Sequence, residues 1–184
     1  MSASGWLVPE FLRVKPKLRV LILGSYATSS LKRLGMLKDF LLRNGYLQTH
    51  LIKDFKNPPK HSKESQSAYN LRKSEYWIPK ADVPIFVFLP NVDNTGVAYE
   101  LKHLCDNCYD MTWRSILGIS IKPYPKISSL INGLIERWSE STQQVFFTTN
   151  KELQEGVRGA LTNLLERLYF LAILRQRGEW KSST

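Results

Sequence analysis

The stretch Val83-Pro84-Ile85-Phe86-Val87-Phe88-Leu89-Pro90-Asn91-Val92-Asp93-Asn94-Thr95-Gly96-Val97-Ala98-Tyr99-Glu100-Leu101 changes character twice. Val83 to Leu89 is almost wholly apolar, which predicts a strand buried on both faces. A short polar loop with Asn91, Asp93, Asn94, Thr95 and Gly96 follows. Val97, Leu101, Leu104 and Cys108 then recur at helical spacing. Glu100 therefore falls in the first two turns of a helix, just beyond the end of a buried strand. In an α/β domain such a position is a natural place for chemistry. A plainer reading competes with it, because the helix macrodipole enriches glutamate near any helix start.

The same alternation repeats on either side. Leu18 to Leu23 reads as a buried strand, ended by Gly24-Ser25-Tyr26. Ser29 or Ser30 is placed to cap a helix carrying Leu31, Leu34, Leu37, Leu41 and Leu42, and Asn44-Gly45 stops it. Tyr46 to Ile52 is a weaker strand. After the loop around Pro58-Pro59, a polar helix is predicted from about Glu64 to Trp77. Pro84 falls at the start of the third strand, where a missing N–H is tolerable. Ser115 to Ser120 reads as the fourth strand, Ile127 to Trp138 as an amphipathic helix, and Val145 to Phe147 as the centre of the fifth strand. Asn150 is placed to cap a long last helix to about Arg175.

Strands alternating with helices imply a parallel sheet covered on both faces, with right-handed crossovers. Five strands suit the order 2-1-3-4-5, an α/β flavodoxin-like three-layer sandwich. That order places a topological switch point between strands one and three. The loops lining it are Gly24-Ser25-Tyr26 and Asn91 to Gly96, so geometry alone raises Glu100. One domain over 1–184 is expected, with 1–16 as an N-terminal extension and 150–176 as a long C-terminal helix.

The 184 residues, 43% hydrophobic and 23% charged, have the composition of an ordinary globular domain. No apolar run reaches the roughly 20 residues that cross a bilayer. Met1 to Glu10 has neither the basic start nor the apolar stretch of a signal peptide. A cytoplasmic protein with no membrane partner is expected. The net charge is +10. The basic residues are scattered, and no basic helix interleaved with aromatics stands out, so a nucleic-acid partner is possible but not favoured.

Gly96-Val97-Ala98-Tyr99-Glu100-Leu101, following a strand and a polar loop, resembles the Gly-x-Ala-aromatic-Glu-aliphatic signature of the nucleoside 2-deoxyribosyltransferases. The wider superfamily includes TIR-like NAD-cleaving domains, whose glutamate also precedes a leucine on the helix after strand three. The fold resemblance extends to about Thr149; the motif itself covers only about ten residues. The resemblance implies that Glu100 acts as a nucleophile on, or stabiliser of, the anomeric carbon in an oxocarbenium-like transition state. It also implies a nucleoside or nucleotide as small-molecule partner. No cofactor is implied, and NAD enters only as a possible substrate. Asn94 and Asp93 are candidates beside Glu100 at the reacting centre. Gly24, Ser25, Tyr26, Asn91, Gly96 and Tyr99 are candidates for holding substrate. The family has aspartates where this chain has Asn91 and Asn94. Amides orient groups but do not shuttle protons. That departure favours a leaving group needing little acid help, such as nicotinamide, or a nucleotide-sensing module that does not turn over.

Cys105 and Cys108 have the spacing of half a zinc site, but no second pair exists. They continue an apolar stripe and read as packing thiols, with no metal expected. His50, His61 and His103 share no spacing that suggests a triad. Tyr26 could stack on a nucleobase or be a simple loop aromatic. Tyr76 and Trp77 fit a lid edge less well than an anchor to the core. Leu168 to Leu174 is apolar all round, so a homodimer through the last helix is expected, with burial under Trp6 to Phe11 as the rival.

Overall fold

The computed structural model describes residues 13–55, 59, 61–125, 129–138 and 141–176. Five strands, β1 (Arg19–Gly24), β2 (Gln48–Leu51), β3 (Val83–Phe88), β4 (Ile116–Ser120) and β5 (Gln143–Phe147), form one parallel sheet in the order β2-β1-β3-β4-β5. The connecting helices are α1 (Thr28–Arg43), α2 (Gln66–Trp77), α3 (Thr95–Asn107), α4 (Ser129–Trp138) and α5 (Asn150–Gln176). This is the expected flavodoxin-like sandwich.

Side-chain alternation along the strands splits the core in two. Val20, Ile22, Ile85 and Val87 face α1 and α5, where Leu34, Leu37, Leu161 and Leu164 meet them. Leu21, Leu23, Phe86, Phe88, Leu117 and Ile119 face the other way, against Val97, Leu101 and Leu104 of α3 and Ile135 of α4. Both faces of β3 are buried, as its unbroken apolar run predicts. Pro84 stands second in β3, paired in register with Leu21.

Two helix starts differ from expectation. α1 begins at Thr28 with Ala27 as its cap residue and no side-chain cap. Ser25 Oγ accepts from the Ala27 N–H at 3.4 Å, so the chain turns before Ser29 and Ser30 are reached. Ser30 is left inside the helix, buried, with its hydroxyl unpartnered. At α5 the cap is Thr149, not Asn150. Thr149 Oγ1 accepts from the Glu152 N–H at 3.2 Å, and Glu152 Oε2 accepts from the N–H groups of Thr148 at 2.7 Å and Thr149 at 3.3 Å. The reciprocal pair is a capping box, which Asn150 cannot make without a partner three residues on. Ser65 caps α2, accepting from the Ala68 N–H at 3.1 Å. Among the described residues no helix is long and apolar enough to cross a membrane. The expected dimer surface falls mainly on side chains from 170 onward, which lie outside the described residues, as does the stretch from Trp6 to Phe11.

Candidate functional site

The end of β3 is tied to the start of α3 by one side chain. Asn94 Oδ1 accepts from the Leu89 N–H at 3.1 Å, and Nδ2 donates to the carbonyls of Leu89 at 2.9 Å and Val92 at 3.1 Å. Both amide protons are thereby engaged with backbone, and the residue is buried. Asn91 turns the loop in the left-handed region, at φ 58, which asparagine tolerates better than most residues. Asp93 Oδ1 accepts from the Thr95 N–H at 2.8 Å. A hydrogen bond with the Thr95 side chain, and then this one from its N–H, hold the Asp93 carboxyl below its usual range.

The loop aims α3 so that Glu100 turns inward. Its side chain is only 4% exposed. Oε1 accepts from the Ser74 hydroxyl of α2 at 2.5 Å, and Oε2 is buried with no hydrogen-bond partner among the described residues. Burial pushes the Glu100 carboxyl up to about 8, against the opposing effect of the Ser74 hydrogen bond. Ser74 Oγ also lies 3.2 Å from the Asn70 carbonyl oxygen. This geometry serves both protonation states. An ionised Glu100 accepts the Ser74 proton; a neutral Glu100 donates to Ser74 Oγ, which then turns its own proton to Asn70.

Tyr26, in the loop after β1, completes the group. The residue is 41% exposed. The hydroxyl end is desolvated, which raises its pKa, and the Glu100 charge raises it further, while a hydrogen bond with Ser74 opposes both. Exposure of the ring and desolvation of the hydroxyl are compatible, because the two ends of the side chain face different surroundings. Lys73, next to Ser74, is also buried, and its Nζ donates to the Phe55 carbonyl at 2.9 Å.

The structure thus brings Glu100 and Tyr26 together and adds Ser74, which the sequence did not single out. A signal existed. Ser74 precedes Trp77 by three positions and Ile78 by four, which puts it on the core-facing side of an otherwise polar helix. The other candidates sit elsewhere around the loop. Gly24 ends β1, and a Cβ there would come within 2.9 Å of Leu34 Cδ1 and 3.3 Å of the Val87 carbonyl, so its small size serves packing. Ser25 is nearly buried beside it. Asn91, Asp93 and Gly96 are exposed on the loop, and Tyr99 is 58% exposed on the outer side of α3. Cys105 and Cys108 lie at the far end of α3. Both are buried, and burial pushes the Cys105 thiol up to about 12 and the Cys108 thiol up as well. Among the described residues, no cluster of three or more His, Cys, Asp or Glu side chains could hold a metal ion.

No family model matches the chain, and no curated protein matches it. Solved structures do. A conserved protein from Enterococcus faecalis V583 is 10% identical, at a TM-score of 0.54, with 77% of this chain and 98% of that one covered. A CMP N-glycosidase from Clostridium botulinum is 18% identical, at a TM-score of 0.49, with 76% and 98% covered. At these identities the likeness speaks to fold alone.

Proposed function

We propose that the chain cleaves or transfers at the N-glycosidic bond of a nucleoside or NAD-like nucleotide, with Glu100 at the reacting carbon. The observation that carries this reading is the buried Glu100 carboxyl beside the switch point, one oxygen held by Ser74 and the other without a partner. The free oxygen attacks C1′ as the C1′–N bond breaks, and the base leaves with the bonding electrons. Water or an acceptor base then displaces the carboxylate. Ser74 acts as a positioning residue that keeps Oε2 free. Tyr26 is the side chain that swings to admit substrate, since Glu100 is sealed while the Tyr26 ring is partly open.

A cationic leaving group suits the site. Nicotinamide departs from a pyridinium nucleotide as a neutral base and needs no proton. The loop offers amides at Asn91 and Asn94 where an acid would stand, and the Asn94 amide is already engaged. The positive charge of the pyridinium also favours ionised Glu100, lowering a carboxyl that burial holds near neutrality in the empty site. The last helix joins two copies in this reading.

The test is incubation of pure protein with NAD and with a nucleoside and nucleotide panel, with free bases resolved by chromatography. Release of base by wild type, abolished in Glu100→Gln, is the expected result. Undiminished release by Glu100→Gln would show the assignment wrong. The engaged Asn94 amide and sealed carboxyl favour one rival, a sensor that grips ribose hydroxyls without turnover. That rival wins where wild type binds a nucleotide, Glu100→Gln does not, and neither releases base.

A further inference from the structure

A second cavity lies on the same side of the sheet as Glu100, displaced toward the N-terminal ends of β1 and β2. It has a volume of about 190 Å³, and Glu100 is not among its walls. Its origin is traceable. β2 is an edge strand, and Gln48 and His50 face this side because Thr49 and Leu51 face the other. Trp77, at the end of α2, is an apolar side chain of that helix that packs against the core on this face. Phe55 stacks on Trp77 with ring centroids 4.0 Å apart and planes at 15°, and His50 is tilted against Phe55 at 5.1 Å. The stacked pair props the end of α2 away from the strands, and the space beneath stays open.

The walls define a ligand. The cavity exceeds the roughly 150 Å³ at which an apolar cavity already takes benzene, so it has room for one or two fused rings. Its aromatic walls favour a flat π-system. Trp77 Nε1 is buried and has no hydrogen-bond partner among the described residues. Among the described residues, no acidic side chain lines the cavity. The carboxylates next in sequence to the lining residues Ala81 and Phe55 are engaged: Asp82 with Arg19 at 2.7 Å and Asp54 with Lys38 at 2.7 Å. Lys80 stands exposed at the rim, its Nζ 4.8 Å from the Trp77 ring and 3.2 Å from the Tyr76 ring.

We infer that this cavity is a binding site for a planar aromatic acid of one or two rings, its ring alongside Phe55 and Trp77 and its carboxylate toward Lys80. The site is independent of the reaction assigned to Glu100. It does share a helix with it, since Trp77 follows Ser74 by three residues, so a ligand here rests on the element that holds the Glu100 carboxyl.

The experiment is a titration of ¹⁵N-labelled protein with indole-3-carboxylate, reading the tryptophan indole N–H signals. The Trp77 signal is identified by its loss in Trp77→Phe. A saturable shift centred on Trp77 is expected. Ala81→Leu, which fills the cavity, should abolish it. Lys80→Glu changes only an exposed side chain and should weaken indole-3-carboxylate about fivefold while leaving neutral 3-methylindole within about twofold. The absence of a saturable Trp77 shift, or an unchanged shift in folded Ala81→Leu, would overturn the site. Equal affinity of 3-methylindole and indole-3-carboxylate for wild type, or indifference to Lys80→Glu, would overturn its preference for an acid.

Discussion

The two faces of the sheet are built to different standards. On the side of α1 and α5, apolar side chains meet closely. A Cβ at Gly156 would collide with Val145, so α5 lies as close to β5 as backbone allows. Leu37, Leu161 and Val157 have no exposed surface at all. On the side of α2 and α3, a carboxyl, a serine and a lysine are buried and a cavity remains; both faces hold a buried polar atom with no partner among the described residues, Ser30 Oγ on the first and Glu100 Oε2 on the second, but only the second buries an ionisable carboxyl. Natural proteins hold unsatisfied polar groups where function requires them and compensate elsewhere. Both faces are packed with fully buried apolar side chains, and the buried carboxyl proposed to react lies on the second.

Truncating the closed face is the strongest challenge to that division. Leu161→Ala should lose about 2–5 kcal/mol of stability by denaturant unfolding, as a fully buried leucine in a packed core does. Base release by the folded fraction should keep the same pH profile. A changed profile would mean that the two faces are not separate.

Glu100→Gln should lower base release on the order of a hundredfold or more, because the charge meeting the oxocarbenium is gone. It should also change stability with the opposite sign. A carboxyl raised from 4.5 to about 8 stays neutral in the fold while the unfolded chain ionises. Wild type therefore loses stability progressively as pH rises from about 4.5 to about 8 and loses no more above that. The variant has no such loss, so its melting temperature should overtake wild type across that window. A difference in melting temperature that stays flat with pH would contradict the buried, raised carboxyl.

Ser74→Ala should cost roughly tenfold in activity, about the worth of a hydrogen bond to a charged group. Since the Ser74 bond lowers the Glu100 pKa, its removal should move the rising limb of the pH profile upward. Ser74→Thr, which keeps the hydroxyl, should bring the limb back. A limb that stays in place in Ser74→Ala reduces Ser74 to a packing residue.

Least should follow from serine at Cys105 and Cys108. Both thiols are buried a turn or more beyond Glu100 toward the end of α3, so activity should persist and stability should fall by roughly 1–2 kcal/mol through the burial of new hydroxyls. Stoichiometric zinc in chelator-free protein, or loss of activity in the double variant, would give the pair a role beyond packing.

Much of this was legible in the residues alone. The run Val83 to Leu89 reads as a strand buried on both faces, and the alternation around it leaves few sheet orders. Val97, Leu101 and Leu104 recur at a period that loops do not keep, which places Glu100 on a helix beyond that strand. These are local patterns, set by side-chain period and by turn chemistry. What stayed hidden depends on contacts between distant parts of the chain. Ser74 meets Glu100 across 26 positions, and no local pattern encodes that meeting. Asn94, a candidate beside Glu100 at the reacting centre, also ties the loop together through bonds of its amide to Leu89 and Val92, which the sequence does not show. The capping of α5 by Thr149 rather than Asn150 turned on where Glu152 falls in the first turn.

Hydrophobic period and chain connectivity were enough to set the order of elements, the parallel sheet and the place of one carboxylate at its switch point. They say nothing of what covers that carboxylate. That it is sealed, held by one oxygen and kept near neutrality emerged only once the chain was folded. Burial is a property of what packs on top, and here that is a helix from another part of the chain.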